Sequence, residues 1–417
     1  MTPTRPPADT TASLPSTRPG SGSGRLTARL RPVEASPAWA ALAEVAIEPN
    51  PFFCPAFLLP YARHMMRDRL ILATVEEAPD DHGGQDAARD IAADGGTAGG
   101  RWLIAAPVGL QTAGLLLRSP ALWASDYGPV GTPLVHPDCT PEAAALFLQT
   151  AAGLGPWPGA RLLDLPFLAT GGPVMSLLRA ATSGWSGQSM AGQAERAAHA
   201  GGIEGARQHD EVMSGKRRKE FDRLSRRLAE LGTVTEERLR GAAACDAFPE
   251  FLALEAAGWK GEGRTALGST PDTRAFALAF IAALAGQDAL CLEILRLDGH
   301  AIAMLVQVEH QGRTHAWKIA YDEGLGRFSP GQRVTLQALR HAAADPRLPL
   351  GGDSLAVPDH PMINPLWRGR LAYARLELSD GPLAPLARQA LAVDRLCRRL
   401  ARHIVHRLRR LAAGRQG

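Results

Sequence analysis

Lys318, Tyr321, Asp322 and Glu323 fall within six residues, and a Gly- and Pro-bearing turn, Arg327-Phe-Ser-Pro-Gly-Gln, follows them. A phenol can give up a proton and a carboxylate can take one. The free N–H groups of a helix start, with the helix dipole behind them, bind phosphate. Ser329 is a natural N-cap and Pro330 fits the first helical position, so Gly331 and Gln332 would carry such amides. Asp359-His360 is a second place for a base, since imidazole ordinarily titrates at ~6.5. Lys318 is the least ordinary choice, because lysine is depleted in strands. It either pairs with Asp353 on a neighbouring strand or faces a phosphate or carboxylate of a substrate. Trp259-Lys260, after a helix end, reads equally as the wall of an acceptor site or as a surface anchor. Each residue also has a plainer reading. Tyrosine is common in strands, an acidic pair before a turn is usually solvated, and a histidine between Asp359 and Pro361 can brace a loop.

Periodicity gives the elements that must hold these side chains. Residues 314–322 alternate as a strand does, with His315, Trp317, Ile319 and Tyr321 on one face and Ala316, Lys318, Ala320 and Asp322 on the other. Leu336, Leu339 and Ala343, with Val334 and Ala338 alongside, make one face of a helix. Upstream lie helices at 246–257 and 271–285 and a hairpin, 289–297 and 300–308, about Asp298-Gly299. Downstream come a strand at 349–357, a loop at 358–367 and a last strand at 369–378.

These elements fill a domain over 214–380, which opens with the basic run Lys216-Arg-Arg-Lys on a helix carrying Phe221, Leu224 and Leu228. A separate α/β domain is expected over 25–186. A Pro-, Thr- and Ser-rich disordered tail is expected over 1–24, an acidic loop insertion over 77–100 and a patternless linker over 187–213. Residues 381–417 read as a basic amphipathic helix. Val393, Leu396, Leu400 and Ile404 form one stripe, suited to docking on the domain or to lying on an anionic membrane.

Composition narrows the classes. With 417 residues, 45% hydrophobic and 21% charged, the chain reads as an ordinary globular protein of two or three domains. Its five cysteines are isolated, with no CxxC, which argues for reduced thiols in the cytoplasm and against a disulfide framework or zinc site. The start carries no apolar signal region, and the most apolar run, 275–285, is shorter than the ~20 residues a bilayer span needs. Gly261-Glu-Gly-Arg follows a helix rather than a strand, so it fails as a dinucleotide fingerprint. No phosphate loop of the Walker type and no metal-ligand spacing appears.

The order from 216 onward is helix, strand, two helices, three antiparallel strands, helix, strand, loop and strand. It is similar to the GNAT acyltransferase fold. Leu254-Glu-Ala-Ala-Gly-Trp-Lys-Gly, Lys318-Ile-Ala-Tyr-Asp-Glu, Phe328-Ser-Pro-Gly, and Asp353 with Pro358-Asp-His-Pro and Trp367 resemble the GNAT acetyltransferases assigned to cellulose biosynthesis. These are cousins of the Fem-type aminoacyltransferases, which carry two GNAT-like domains. The first half shares the likeness more loosely, through Pro49-Asn-Pro-Phe-Phe and Gly131-Thr-Pro-Leu-Val.

The resemblance implies an α/β (α+β) protein of two GNAT-like domains, each a mixed, mostly antiparallel sheet flanked by helices. It implies acetyl-CoA or another acyl-CoA as co-substrate, no metal, and a small-molecule or glycan acceptor offering an amine or hydroxyl. Catalytic roles would fall to Tyr321, Asp322 and His360, and cofactor contacts to Lys318, Arg327, Ser329, Pro330, Gly331 and Gln332. Trp259, Lys260, Asp353 and Trp367 would line the acceptor, and the strand 317–322 would splay from its neighbour. The common phosphate loop of the family runs Gln/Arg-x-x-Gly-x-Gly/Ala, from which Arg327-Phe-Ser-Pro-Gly-Gln is offset. Two rival readings stand beside this one. The basic helix fits Fem-type aminoacyl transfer from charged tRNA, nucleic acid being otherwise unexpected. The Arg-rich tail fits a non-catalytic partner of a membrane polysaccharide synthase, peripheral to the inner membrane.

Overall fold

Proline starts most of the helices. Pro37, Pro55, Pro141, Pro173, Pro271 and Pro330 each stand in a first helical turn, where the missing N–H leaves no bond unmade. The computed structural model describes residues 10–12, 25–66, 70–78 and 100–413, and no side chains for 10–12 and 406–413. The tail expected over 1–24 and the insertion expected over 77–100 lie outside these residues, apart from 10–12 and the flanks of the insertion.

The first half comprises β1 (Thr10–Ala12), β2 (Leu26–Pro32), α1 (Pro37–Val45), α2 (Pro55–His64), β3 (Ile71–Glu77), β4 (Arg101–Thr112), β5 (Arg118–Leu122), β6 (Leu134–Val135), α3 (Pro141–Ala152), β7 (Arg161–Ala169), α4 (Pro173–Ala181) and β8 (Gly187–His199). The second comprises α5 (Gly202–Val212), α6 (Gly215–Ala229), β9 (Val234–Arg240), α7 (Gly241–Ala257), α8 (Trp259–Glu262), α9 (Pro271–Ala285), β10 (Leu290–Leu297), β11 (His300–His310) and β12 (Arg313–Tyr321). It ends with α10 (Pro330–Ala344), β13 (Gly352–Asp353), β14 (Gly369–Asp380) and α11 (Ala384–Ala413). A 3-10 turn, Glu323–Phe328, joins β12 to α10.

The strands form one 14-stranded sheet in the order β1-β2-β3-β4-β5-β7-β14-β8-β13-β12-β11-β10-β9, with β6 on β4. Pairing is antiparallel except between β5 and β7 and between β12 and β13. The two halves exchange their closing strands: β14 lies against β7 of the first half, and β8 against β13 of the second. The stretch 187–213 is therefore no linker. It forms β8 and α5 although its sequence carries no apolar stripe, because β8 is paired on both edges, to β14 over most of its length and to β13 at its end. Backbone pairing on two sides replaces the side-chain burial that periodicity detects.

One face of the sheet is packed by aromatic rings from both halves. Phe57 of α2 meets Phe280 edge to face at 5.1 Å, and Phe280 of α9 meets Trp317 of β12 at 5.1 Å; each such pair adds about 1 kcal/mol beyond its burial. The opposite face carries α10, whose Val334, Ala338 and Leu339 are buried with Leu228 of α6 and Trp367.

Strict alternation along β12 does not hold. The register of β12 on β11 shifts between Val306 and Gln307, and Trp317 is the extra residue. A bulge of this kind turns two successive side chains toward one side. His315, Trp317, Lys318 and Ala320 consequently belong to the α9 face, and Ala316, Ile319 and Tyr321 to the α10 face.

Candidate active site

β12 and β13 run side by side for two residue pairs, Thr314 with Gly352 and His315 with Asp353. Left-handed backbone at Gly351 (φ 68°) and Leu355 (φ 52°) bends the chain on either side of β13, which shortens the strand expected over 349–357. The Ser354 amide bonds Ala197 O on β8 at 3.0 Å instead of continuing beside β12. From Ala316 onward this edge of β12 stands open. On the other edge the Asp322 N–H bonds Ile302 O at 2.9 Å. Antiparallel alternation then points the N–H and C=O of Ile319 and Tyr321 into the gap. A cavity of about 460 Å³ fills it, walled by 316–321 on one side, by 354–356 and 360–363 on the other, and by Glu255, Trp259 and Lys260 at one mouth.

Lys318 is held in this wall with its Nζ 4.8 Å from the Tyr127 ring centre and 5.8 Å from that of Trp317. The alternative in which it pairs with Asp353 is not realised, and no carboxylate among the described residues forms an ion pair with it. Burial first, and the Lys260 ammonium second, hold its pKa below that of an ordinary lysine; Glu255 and Asp126 offset part of this. Lys260 is anchored. Its Nζ donates to Ile319 O at 2.6 Å and to Glu255 Oε1 at 3.1 Å, while the Leu267 amide donates to Glu255 Oε2 at 2.7 Å. The Trp259 amide donates to Glu323 Oε1 at 2.7 Å, and its indole stays 58% exposed at the rim.

Tyr321 reaches the far end of the cavity, where its ring packs on Gly331 of α10. A Cβ there would stand 3.1 Å from Tyr321 Cδ1 and 3.3 Å from Met362 Sδ, so glycine is what lets the helix start come this close. No side chain caps α10. Ser329 occupies the N-cap position but in left-handed backbone (φ 54°, ψ 48°), not the extended form from which a cap serine reaches the helix amides. The Gly331 and Gln332 amides find no acceptor among the described residues. Residues 329–332 and Arg327 do not themselves line the cavity; they adjoin it through Tyr321 and Met362. Arg327 is exposed, its guanidinium 4.8 Å from the Phe328 ring centre. Lys318, expected beside them, lies on the opposite face of the sheet, with Tyr127.

Of the remaining expected site residues, His360 lines the cavity, its Nδ1 accepting the Met362 N–H at 3.3 Å. Asp322 does not line it; its Oδ1 accepts the Gly324 N–H at 2.8 Å and caps the 3-10 turn. Trp367 is fully buried, its indole N–H donating to Thr335 O at 3.2 Å, so it is a core residue rather than a substrate wall. Asp353 is buried too, with Oδ2 2.6 Å from Arg196 Nη2. Burial would raise its pKa, yet Arg196 and His315 outweigh that and hold it below the usual carboxylate range. It braces β13 against β8. Tyr127 and Glu255 were missed from sequence. Glu255 sits near the end of α7 and Lys260 on α8, and they meet only because the chain turns at Gly258, so helical spacing gave no signal for the pair; Tyr127 lies some 190 residues from Trp317, whose indole donates to its carbonyl, and had none either. Among the described residues no group of three or more His, Cys, Asp or Glu side chains could hold a metal ion.

A β-meander running into an open-edged strand, a 3-10 turn and an uncapped helix start defines the class of the second half. Residues 215–350 match the family described as Acetyltransferase (GNAT) domain, and this part of the chain has the GNAT acyltransferase fold. Among solved structures the chain is similar to FemX, at 10% identity over 86% of this chain and 99% of that one, with a TM-score of 0.49. It is also similar to a tandem GNAT protein from the clavulanic acid biosynthesis pathway, at 12% identity over 85% and 99%, TM-score 0.38. A third is the C-terminal domain of a putative lysylphosphatidylglycerol synthetase from Agrobacterium fabrum, at 13% identity over 66% and 80%, TM-score 0.42. No curated protein matches the chain.

Proposed function

We propose that this chain is a cytoplasmic acyltransferase that moves an acetyl or other acyl group from acyl-CoA to an amine or hydroxyl acceptor. The observation that carries the reading is the open edge of β12, which turns peptide groups into a cavity bounded at one end by Tyr321 and Met362, against which the α10 start packs. Acyl-CoA, when bound, supplies an activated acyl carbonyl and a thiolate leaving group. The Gly331 and Gln332 amides hold its diphosphate, with Arg327 alongside. The Ile319 and Tyr321 N–H groups lie where an acyl carbonyl oxygen would be polarised. Tyr321 Oη gives its proton to the leaving sulfur, and Lys318, charged at neutral pH but with a neutral fraction raised above that of an ordinary lysine by burial, takes the proton of the attacking acceptor through that fraction. The acceptor enters from the Trp259–Lys260 mouth. The first half acts as a second, degenerate GNAT-like copy that shapes this mouth through Tyr127.

Acetyl-CoA at a hundred times its dissociation constant would stabilise the fold by about 2.7 kcal/mol, read as a raised melting temperature. Gly331→Glu, placing bulk and charge against Tyr321 and the diphosphate site, removes that rise. No shift in the wild-type protein at millimolar acetyl-CoA sinks the proposal. The link to polysaccharide or cell-envelope synthesis rests on the wording of the Leu254, Lys318 and Pro358 motifs. One observation favours Fem-type transfer from charged tRNA as a second reading. Lys216, Arg218 and Lys219 are exposed at the start of α6, and that helix is tied to the turn before α10 by Arg333, which donates to Ser225 Oγ at 2.7 Å and to Phe328 O at 3.1 Å. Salt-sensitive tRNA binding supports that alternative, and its absence removes it.

A further inference from the structure

α11 is fastened to the sheet over its first three turns. Ala384, Ala387 and Leu391 are buried with Ala160 and Leu162. Arg388 donates to Asp164 Oδ1 at 2.6 Å, and Arg395 to Asp164 Oδ2 at 2.9 Å and Glu377 Oε1 at 2.8 Å. Asp394 accepts the Leu117 amide at 3.0 Å. These bonds set the rotation of the helix. Leu396, Leu400 and Ile404 therefore point to solvent, 54–57% exposed, while Arg398, Arg399 and Arg402 stand on the side of Arg395 and overhang the sheet. Beneath them the sheet is broken on both flanks of β14. β7 carries one residue more than β14 between Leu165 and Leu168, and β8 one more between Ala191 and Ala194. Each bulge contains left-handed backbone, at Phe167 (φ 52°) and at Gly192 (φ 60°). Glycine adopts that form freely, whereas an aromatic residue does so only under constraint. Bulges re-aim side chains and gather beside functional sites. Here they open a cleft of about 470 Å³, floored by Phe167, Tyr373 and Arg375 and roofed by the arginines of α11 from 395 to 402.

Charge in this cleft is unbalanced. Asp164 already takes Arg388 and Arg395, with Arg375 at 3.7 Å, and Glu377, the one carboxylate among the described lining residues, takes Arg395. Arg398, Arg399 and Arg402 form no ion pair with a described carboxylate, and Arg395 Nε is buried without an acceptor. Guanidiniums gathered this closely repel one another unless an anion lies between them, and their forks match phosphate oxygens in pairs. The rings of Phe167 and Tyr373, 5.8 Å apart between centres and tilted by 40°, add an aromatic floor of the kind on which bases stack. The volume suits a small molecule, since pockets of about 300–1,000 Å³ hold such ligands. The cleft shares no lining residue with the cavity beside β12. Its bulge on β8 lies about 20 Å along that strand from the pairing with β13.

We propose that the cleft between α11 and the double bulge is a second ligand site, which takes a small molecule joining a diphosphate to a ring. A nucleoside diphosphate is the class that uses both the guanidiniums and the aromatic floor. Once bound, it ties the part of α11 beyond Arg395 to β14, independently of which acyl donor the cavity beside β12 takes.

Titration calorimetry of the full chain with ADP, joined to amide hydrogen exchange, tests this. ADP binds at low salt and more weakly as salt rises, and inorganic pyrophosphate, lacking the ring, binds about tenfold more weakly. ADP slows exchange in the peptides that cover 165–168, 191–194 and 395–402. Arg399→Gln with Arg402→Gln weakens ADP roughly a hundredfold and removes that protection, at unchanged melting temperature because both side chains are exposed and unpaired. No binding of ADP, pyrophosphate bound as tightly as ADP, or undiminished binding by the glutamine variant overturns the proposal. So does protection confined to 329–332, which would put ADP at the α10 start, or an affinity for single-stranded RNA that exceeds that for ADP and rises with length, which would make the cleft part of a nucleic-acid surface.

Discussion

Replacing Lys318 by methionine separates the chemistry of the cavity from the stability of the fold. Methionine keeps the length and apolar stem of the side chain while removing an ammonium that has no carboxylate partner. The loss is the cation–π contact with Tyr127, about 1–2 kcal/mol in a desolvated setting. The relief is larger, since a buried charge costs several kcal/mol even after relaxation. The variant should therefore be more stable by about 1–3 kcal/mol at neutral pH. The pH dependence has a definite sign. The folded-state pKa lies below the unfolded value of 10.5, so the wild type bears the full penalty below the folded value. That penalty shrinks as pH rises through this window, and the advantage of the variant disappears above about 10.5. Guanidinium unfolding at pH 7 and again near pH 10 measures it. Turnover, followed as thiol release from acetyl-CoA with an acceptor supplied, should fall by about 10²–10⁴-fold when the proton acceptor is lost. A variant that is destabilised at pH 7 and still turns over would make Lys318 a structural residue and refute the reasoning.

Other perturbations follow from the same geometry. Trp367→Ala should cost about 3–5 kcal/mol in denaturant unfolding; an unchanged midpoint with a raised acceptor KM would restore its reading as a substrate wall. Arg196→Met strands the buried Asp353 carboxylate and should cost about 3–5 kcal/mol, much of it recovered by adding Asp353→Leu. Because the Asp353 pKa is held down, its contribution is present above the ordinary value of 3.8 and is lost as pH falls through the folded one; the gap between wild type and Arg196→Met should narrow there. His199 is kept neutral by burial, its pKa pushed down to about 4 from 6.5. His199 alone should take away about 3 kcal/mol of stability as pH drops from 6.5 to 4, and His199→Leu should remove that share of the slope, the buried His310 and His315 contributing their own.

The elements around the candidate site were legible because each carries its own local signal: proline starts for α9 and α10, an Asp-Gly turn between β10 and β11, alternation on either side of Trp317. What escaped depends on contacts distant in sequence. Nothing in 187–199 announces β8, since its partners are the far strands β13 and β14. The bulge at Trp317 is a register event between two strands, so no count along one of them reveals that Lys318 faces Tyr127. Asp353 and Trp367 stood out by residue type, and that type is equally what a buried brace and a core indole require. The amphipathic tail was visible from composition; that its apolar side faces outward is set by Asp164, more than two hundred residues upstream of Arg388.

Amide hydrogen exchange with and without acetyl-CoA tests the central claim most directly, because it reads the peptide groups on which that claim rests. Saturating acetyl-CoA should slow exchange in the peptides carrying Ile319 and Tyr321 and in the one carrying Gly331 and Gln332, while β3 and β4 exchange as before. Unchanged exchange at the open edge of β12 and at the α10 start, with the ligand shown to be bound, would contradict the assignment of this cavity as the acyl-transfer site.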